Sequence, residues 1–160
     1  MKRIPLLFLA LCFLGYAPYV RADHQVKIED PCQVGLVVAH VSIPATAPPH
    51  EQSAGSLTLA ALEKSELPFK GTEEGIQSIV GTPESRDAIE FETDTVFRIH
   101  GWCYEIDGIQ PALMPGDFKL EHDHHQIRWF FGYSRYRAGN WEGYCETDQV
   151  LSSFCQGKAP

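Results

Sequence analysis

The densest cluster of possible metal ligands in this chain is the run Glu-His-Asp-His-His at residues 121–125. Imidazole and carboxylate groups together suit a metal of intermediate softness such as zinc, copper or nickel. On an extended loop, His122 and His124 would project to one side and His125 to the other. A polar run of this kind also marks a solvent-exposed turn, which is the interpretation we prefer. The sequence therefore predicts an exposed loop in which His122, His124 and His125 have at most weak metal affinity, and no cofactor is expected.

A second candidate site combines aromatic rings with guanidinium groups near the C-terminus. The rings are those of Tyr133, Tyr136, Trp141 and Tyr144, and the neighbouring cations are Arg128, Arg135 and Arg137. Packing of a tail onto a sheet would account for these rings, because aromatic side chains contribute much of the apolar area of a core. The alternative is an exposed surface that binds an unknown protein, a glycan or a small flat ring ligand.

Residues suited to catalysis form no recognisable arrangement. No serine lies in a Gly-x-Ser-x-Gly elbow, and no glycine-rich loop is present that would hold phosphates. Glu90, Glu92 and Asp94 alternate with Ile89 and Phe91, which is typical of the solvated face of a strand and not of a glycosidase pair. The sequence predicts a protein that is not an enzyme.

The charge balance narrows the range of partners. The chain carries 21 Asp and Glu against 13 Lys and Arg, a formal net charge of −8. Nucleic acids and anionic membrane surfaces both attract basic proteins, so neither is an expected partner. Neutral or cationic partners remain possible.

Residues 1–22 have the pattern of a secretory signal peptide. Two basic residues precede a short apolar run, and Val20 and Ala22 place small side chains before a cleavage site at Asp23. A lipid anchor at Cys12 is the alternative, although the preceding leucine is larger than the usual pattern allows. No later stretch approaches the ~20 apolar residues of a membrane-spanning helix. We expect a periplasmic or secreted protein that is not inserted in a membrane after cleavage.

Cysteine usage agrees with export. After cleavage, Cys32, Cys103, Cys145 and Cys155 remain, an even number in an oxidising compartment. Zinc binding is less favoured, because no Cys-x-x-Cys pair is present. Four cysteines allow three pairings, between which the sequence alone does not choose. We prefer Cys32–Cys103 and Cys145–Cys155, since the second pair would close a short loop and hold the tail.

The elements that must position these residues begin with a strand. Residues 34–43 are mostly apolar and β-branched, which favours a strand at the centre of a sheet. The polar residues 23–32 before it predict only a lead-in. Ser56 can cap a short helix, which the Leu67-Pro68 pair would end.

Several further strand candidates follow, at residues 75–80, 88–91 and 96–99. Trp102 opens an alternating run that ends at Asp107-Gly108, a pair that favours a two-residue turn with positive φ at both positions. Residues 126–133 resume the alternation, and we place this strand at the centre, with Trp102 and Trp129 covering the helix-facing side. Residues 134–160 are expected to form a disulfide-tied C-terminal flap of irregular structure.

The order of these elements predicts an α+β fold. A mixed sheet of about four to five strands would carry one short helix on one face. The sheet and helix would form one domain over residues 23–133, including the short lead-in.

Five segments resemble the β-grasp domain at the C-terminus of transcobalamin and intrinsic factor, which also occurs alone in exported bacterial proteins. They are residues 55–64, similar to the family's helix opening; 75–79, its Gly-x-x-x-Ile strand; 102–108, its Trp-x-Tyr-x-Val-Asn-Gly signature; 113–120, its connector; and 127–131, its Ile-x-Trp-x-Tyr strand. His124 and His125 stand where relatives have Gly-Asp.

The resemblance implies a β-grasp-like fold and leaves the ligand open, because the shared residues are core aromatics and turn glycines. We expect a small exported binding or interaction module without catalytic activity. A binder of a corrinoid or tetrapyrrole-like ligand is the first alternative, suggested by the resemblance alone. A weak metal-binding protein that uses the histidine run is the second.

Overall fold

The computed structural model of this protein describes residues 23–45, 49–122, 124–147 and 153–155. The predicted signal peptide, residues 1–22, lies outside the described residues. The elements in chain order are β1 Asp23–Asp30, β2 Gln33–Pro44, α1 Ala54–Lys64, β3 Phe69–Thr72, β4 Gly75–Ile79, β5 Ile89–Thr93, β6 Val96–Ile106, β7 Gln126–Arg137 and β8 Asn140–Glu146, with short 3-10 turns at Pro49–Glu51, Ser85–Ala88 and Ser153–Cys155. Among the residues described, no helix has the length and apolar character needed to cross a membrane.

The main sheet is mixed and has six strands. Its order is β2-β1-β7-β6-β5, with β8 also paired to β7, while β3 and β4 form a separate two-stranded sheet. Strands β1 and β7 run parallel, and the other pairs are antiparallel. The predicted α+β class is confirmed, with a mixed sheet and one α-helix in the described part of the chain. The sheet is larger than the expected four to five strands because the N-terminal residues and the tail each add a strand.

The centre of the sheet differs from the sequence-based expectation at one strand. Residues 23–30, expected as part of a lead-in, form β1, which lies between β2 and β7. Their Val26 and Ile28 side chains are fully buried, and polar residues alternate with them. Residues 34–43, expected at the centre, belong instead to the edge strand β2. The prediction for residues 126–133 was right, since β7 pairs with β1, β6 and β8.

Helix α1 packs on one face of this sheet through Leu57, Ala61 and Leu62, which are buried. Its N-cap is Ser53 and not Ser56. The two serines form a capping box, in which each side chain accepts a hydrogen bond of 3.0 Å from the other's backbone N–H. The reciprocal pair satisfies two backbone donors at the helix entrance, so both residues contribute to the cap.

The predicted turn and the predicted inward-facing tryptophans are present. Asp107 and Gly108 have φ values of 53° and 81°. The flanking Ile106 and Ile109 exchange backbone hydrogen bonds of 2.9 and 3.0 Å. Trp129 is buried beneath α1, and Trp102 packs against the same core from β6. Both tryptophans therefore lie on the helix-facing side of the sheet, as the alternation in the sequence predicts.

The tail and the disulfides correct two expectations. Residues 134–137 continue β7, and β8 then runs back along it, so the first part of the expected irregular flap is a hairpin. All four cysteines are paired, but as Cys32–Cys155 and Cys103–Cys145. The preferred pairing was wrong because the hairpin carries Cys145 over β6, to a Cα–Cα distance of 5.8 Å from Cys103. The C-terminal segment is tied at the β1–β2 turn instead.

Candidate functional site

The face of the main sheet opposite α1, here called the open face, carries a row of aromatic side chains. Strand register places Phe91, Phe97, Tyr136 and Trp141 side by side on β5, β6, β7 and β8. Successive ring centroids lie 5.7, 4.8 and 5.3 Å apart. These separations allow stacked and edge-to-face contacts, so the four rings, here called the aromatic row, pack against one another.

Two glycines face each other on the open face beside this row. Gly101 on β6 is the direct partner of Gly132 on β7. A Cβ atom added to Gly132 would lie 2.9 Å from the backbone oxygen of Glu146, so this glycine lets the end of β8 pass closely over β7. A Cβ atom at Gly101 would meet no described atom within 4 Å. Gly101 therefore leaves bare backbone and open space above the sheet.

This space is part of a cavity of about 340 Å³, here called the glycine-floored cavity. Its lining includes Ile99, Gly101, Cys103, Ser134, Trp141 and Tyr144. Trp141 and Tyr144 are exposed, so the ring walls are open to solvent. The Cys103–Cys145 disulfide also borders the cavity, because it fixes the end of β8 above β6.

The cavity can hold an apolar ring by burial and stacking. Small-molecule sites typically have volumes of about 300–1,000 Å³ and mostly apolar walls with few polar groups. The described lining fits that pattern, since Ser134 is among its few side-chain hydroxyls. Trp141 belongs to both the cavity wall and the aromatic row, which gives a ring ligand a stacking surface at the entrance.

The structure brings together three of the four aromatic residues predicted from the sequence. Tyr136 and Trp141 lie in the aromatic row, and Tyr144 lines the cavity. Tyr133 borders the cavity, but its ring lies on the helix-facing side, 5.8 Å from the His100 ring and 5.6 Å from the Arg98 guanidinium. Because side chains alternate along a strand, Tyr133 faces away from the side that its neighbours Gly132 and Ser134 share.

Two glycines and two phenylalanines of this region were not predicted from the sequence. Gly101 and Gly132 form the cavity floor, while Phe91 and Phe97 complete the aromatic row. Phe97 could have been placed on the face opposite Trp102, because the two are an odd number of positions apart along one strand. The facing of two glycines so far apart in sequence depends on strand register, for which a single sequence has no direct signal.

The arginines near these rings are engaged by acids. Arg128 binds Glu29 at 2.6 and 2.9 Å and Glu105 at 2.9 Å. The Glu29 hydrogen bonds, followed by those of Glu105, raise the pKa of Arg128 despite the opposing effect of burial. Arg135 pairs with Glu92, and Arg137 pairs with Glu142. They therefore belong to ion pairs and add little free positive charge to the aromatic surface.

One acid on β5 differs from the expected solvated face, since Glu90 is half-buried, whereas Glu92 is exposed as predicted. Glu90 lies 3.0 Å from Nε2 of His100, and Glu92 lies 3.2 Å from Nε of Arg98. His100 is buried, and this burial lowers its pKa although Glu90 opposes the change. Glu90 and Glu92 thus form a charged network with side chains of β6 on the helix-facing side of the sheet. Asp94 remains exposed, as predicted.

The histidine run lies at the opposite end of the sheet. His122 and His124 are exposed as predicted, and His124 Nδ1 lies 2.7 Å from the Asp23 carbonyl oxygen. His125, predicted to be exposed, is buried and lies 2.7 Å from the Asp107 carboxylate through Nδ1. The parallel pairing of β1 and β7 causes this difference, because it places the His125 ring 5.9 Å from the buried ring of His24.

The described side chains around the histidine run are not arranged as a set of metal ligands. Within the described ranges, no group of three or more His, Cys, Asp or Glu residues is arranged to hold a metal ion. His122 and His125 have ring centroids 5.7 Å apart, but the Nδ1 atoms of His124 and His125 already lie against other oxygen atoms. Asp123 lies outside the described residues.

Comparison of the chain with known proteins gives no match to any protein-family model, curated protein or solved structure. The resemblance to the transcobalamin-type domain therefore rests on the sequence motifs alone.

Proposed function

We propose that this protein is an exported binding module without catalytic activity, and that it binds a small molecule carrying an apolar ring in the glycine-floored cavity. The observation that carries the proposal is the Gly101–Gly132 pair on the floor of a cavity whose wall includes the exposed Trp141 ring. A sheet face with bare backbone at its floor and aromatic side chains at its wall has the shape of a slot. A ring placed there would exchange water contacts for contacts with Ile99 and Trp141.

The energetics favour a ring over a flexible chain. A ring loses little conformational entropy on binding, and offset stacking on an aromatic side chain adds about 0.5–1.5 kcal/mol beyond area burial. The strand backbone and the disulfide hold the floor and one wall, so little ordering is needed when the ligand enters. A corrinoid is too large for a space of about 340 Å³ and would have to lie over it.

The strand order supports a β-grasp-like fold of the kind that the sequence motifs suggest. A hairpin of β1 and β2 is followed by α1, and the later strand β7 lies parallel to β1 in the order β2-β1-β7-β6. The two disulfides support a periplasmic or secreted location, because such bonds persist in oxidising compartments.

Binding can be tested with a neutral fluorescent ring probe, N-phenyl-1-naphthylamine, added to the exported protein. We expect saturable one-to-one binding, quenching of tryptophan fluorescence, and competition by other small aromatic compounds. Gly101→Val should abolish binding, because the new side chain fills the floor where a Cβ atom meets no described atom within 4 Å. Valine also favours strands, so the variant should fold.

A matched control is available at Gly75 on β4. A Cβ atom added to this strand glycine would likewise meet no described atom within 4 Å, and Gly75 lies outside the cavity lining. Gly75→Val should leave probe binding unchanged. Absence of saturable binding to the native protein, or equal binding by the Gly101→Val variant, would overturn the proposed site.

A further inference from the structure

Strand β2 exposes an apolar stretch at the edge of the main sheet. Val34, Leu36, Val37 and Val38 are 70%, 47%, 41% and 37% exposed. β2 pairs with β1 on one side, and no strand in the described part of the chain pairs with its other side. Natural proteins protect such edges with charges, prolines or a covering element, because unpaired backbone next to apolar side chains recruits another strand.

Charge does not protect this edge. The twelve residues of β2 include no Asp, Glu, Lys or Arg, although the whole chain has a formal net charge of −8. The nearest acids are engaged within the protein: Glu29 binds Arg128, and Asp30 accepts a hydrogen bond of 2.7 Å from the Cys32 amide. A second acidic copy could therefore approach β2 with less repulsion than at the charged surfaces elsewhere.

The other outer strands of the sheet do not share this character. β5 carries Glu90 and Glu92, and β8 carries Glu142 and Glu146. A second copy that added its β2 to β5 or β8 would cover ion-paired side chains with apolar residues, and removing those charges from water is unfavourable. Contact of β2 with β2 places apolar residues against apolar residues. A two-fold arrangement buries the same stretch in both copies and forms a closed dimer.

We propose that residues 34–38 form the centre of a homodimer interface in which the β2 strands of two copies lie antiparallel. Register shifts near Glu29 and Asp30 interrupt the regular pairing of this part of β2 with β1, and its apolar side chains are exposed. At the other end, Lys64 donates a hydrogen bond of 3.0 Å to the Ser42 carbonyl oxygen. The lysine covers that end of the strand and leaves the 34–38 end for the second copy.

Sedimentation equilibrium of the exported protein over a wide concentration range tests this interface. We expect a reversible monomer–dimer equilibrium that strengthens with salt, since salt screens the net negative charge and leaves the apolar contact. Hydrogen exchange of amides 34–38 should slow as concentration rises. A Leu36→Lys/Val38→Lys variant should dimerise at least about tenfold more weakly, because lysine at the centre of an interface loses its hydration.

Ile109→Lys/Leu113→Lys is a matched control, since both side chains are exposed and neither residue belongs to β2. Its dimerisation should equal that of the native protein, and near-ultraviolet circular dichroism should show native packing in both variants. Should the β2 double variant misfold, Val34→Lys alone serves the same purpose at the most exposed position.

A protein that stays monomeric at every concentration would overturn the proposal. So would open-ended association, concentration-independent exchange at residues 34–38, or a dimer that is unaffected by the β2 variant. Cosedimentation of the monomer with neutral phosphatidylcholine vesicles, lost in the β2 variant, would assign this stretch to a membrane and would equally overturn it.

Discussion

Trp129 on β7 donates its indole N–H to the hydroxyl oxygen of Thr58 on α1 across 2.8 Å, and both side chains are buried. The Thr58 hydroxyl in turn donates to the Ala54 carbonyl oxygen at 2.7 Å. This chain of two hydrogen bonds fixes the rotation of the helix against the sheet. The first of these bonds also gives the indole N–H, the one polar group of a large buried ring, an acceptor. Burial of that N–H without an acceptor would be costly.

Thr58→Val should destabilise the protein by about 1–3 kcal/mol, because the shape is kept while the buried Trp129 N–H loses its acceptor. Trp129→Ala should cost more, about 3–5 kcal/mol, through the cavity that it leaves. Urea unfolding followed by far-ultraviolet circular dichroism gives both values. Thr95→Val, at an exposed position, is the control and should change stability by less than about 0.5 kcal/mol. Equal stabilities of the Thr58 and Thr95 variants would contradict the assigned hydrogen bond.

The two facing glycines should respond in opposite ways to alanine. Gly132→Ala places a Cβ atom 2.9 Å from the Glu146 oxygen, a backbone atom that can move only with β8, so we expect a loss of about 1–3 kcal/mol. Gly101→Ala meets no described atom within 4 Å and should be neutral or stabilising, because alanine loses less backbone entropy than glycine. Thermal unfolding of both variants decides it. A Gly132→Ala variant as stable as the native protein would refute the close crossing.

The two disulfides should differ in their effect on ring binding. Replacing Cys103 and Cys145 by alanine frees the end of β8 and should weaken N-phenyl-1-naphthylamine binding, in addition to a stability loss of about 2–4 kcal/mol. Replacing Cys32 and Cys155 should lower stability and leave probe binding intact, because that bridge lies outside the cavity lining. Peptide mapping without reduction checks the pairing first. Equal probe affinity in the two variants would show that the Cys103–Cys145 bridge does not contribute to the binding site.

The contact of Asp107 with His125 should make stability depend on pH. Burial opposes ionisation of Asp107, but the Gln126 amide and the His125 ring outweigh it and hold its pKa below the ordinary 3.8. Since the folded-state pKa is the lower one, ionised Asp107 stabilises the fold above pH 3.8, and this contribution is lost as pH falls through the folded value.

Asp107→Asn should therefore be less stable than the native protein at pH 6, and the difference should vanish toward about pH 2. The loss should stay below about 1 kcal/mol, because half of the Asp107 side chain is exposed and solvent screens the contact. Denaturant unfolding across this pH range measures it. Asp94→Asn, at an exposed acid, is the control. A difference that grows on acidification would show that the sign is wrong.

Zinc, copper and nickel should bind the histidine run weakly. A functional site needs fixed ligands with supporting partners, whereas the Nδ1 atoms of His124 and His125 already lie close to oxygen atoms of the protein. Titration calorimetry at neutral pH should give dissociation constants well above micromolar. Submicromolar one-to-one binding that disappears in a His122→Ala/His124→Ala variant would instead make metal binding the leading function.

The helix, the Asp107-Gly108 turn and the strands β6 and β7 could be predicted because each has a local signal. Strand β1 lacked one, since its polar residues hid the alternation of Val26 and Ile28. The acid Glu29 within β1 is explained only by its long-range partner, since it binds Arg128 ninety-nine residues away. The apolar composition of β2 favoured burial on both sides, and only the completed sheet shows that it lies at the edge.

The candidate site was predictable in its residue types and not in its shape. The sequence identifies Tyr136, Trp141 and Tyr144 because aromatic residues are conspicuous in a mostly polar tail, whether they are buried or exposed. The cavity depends on the register that sets Gly101 opposite Gly132 and on β8 running back over β7. The same reversal decides the pairing of Cys145, so the missed β7–β8 hairpin led to the wrong disulfides and left the β8 wall of the cavity unpredicted.

The position of the Cys103–Cys145 bridge has a consequence for when the protein becomes able to bind. One border of the glycine-floored cavity is a covalent bond that forms only where thiols are oxidised. A newly made chain in a reducing compartment would have Gly101 and the strands of the floor, but nothing covalent to hold the end of β8 over them. Export would then complete the binding site as well as deliver it.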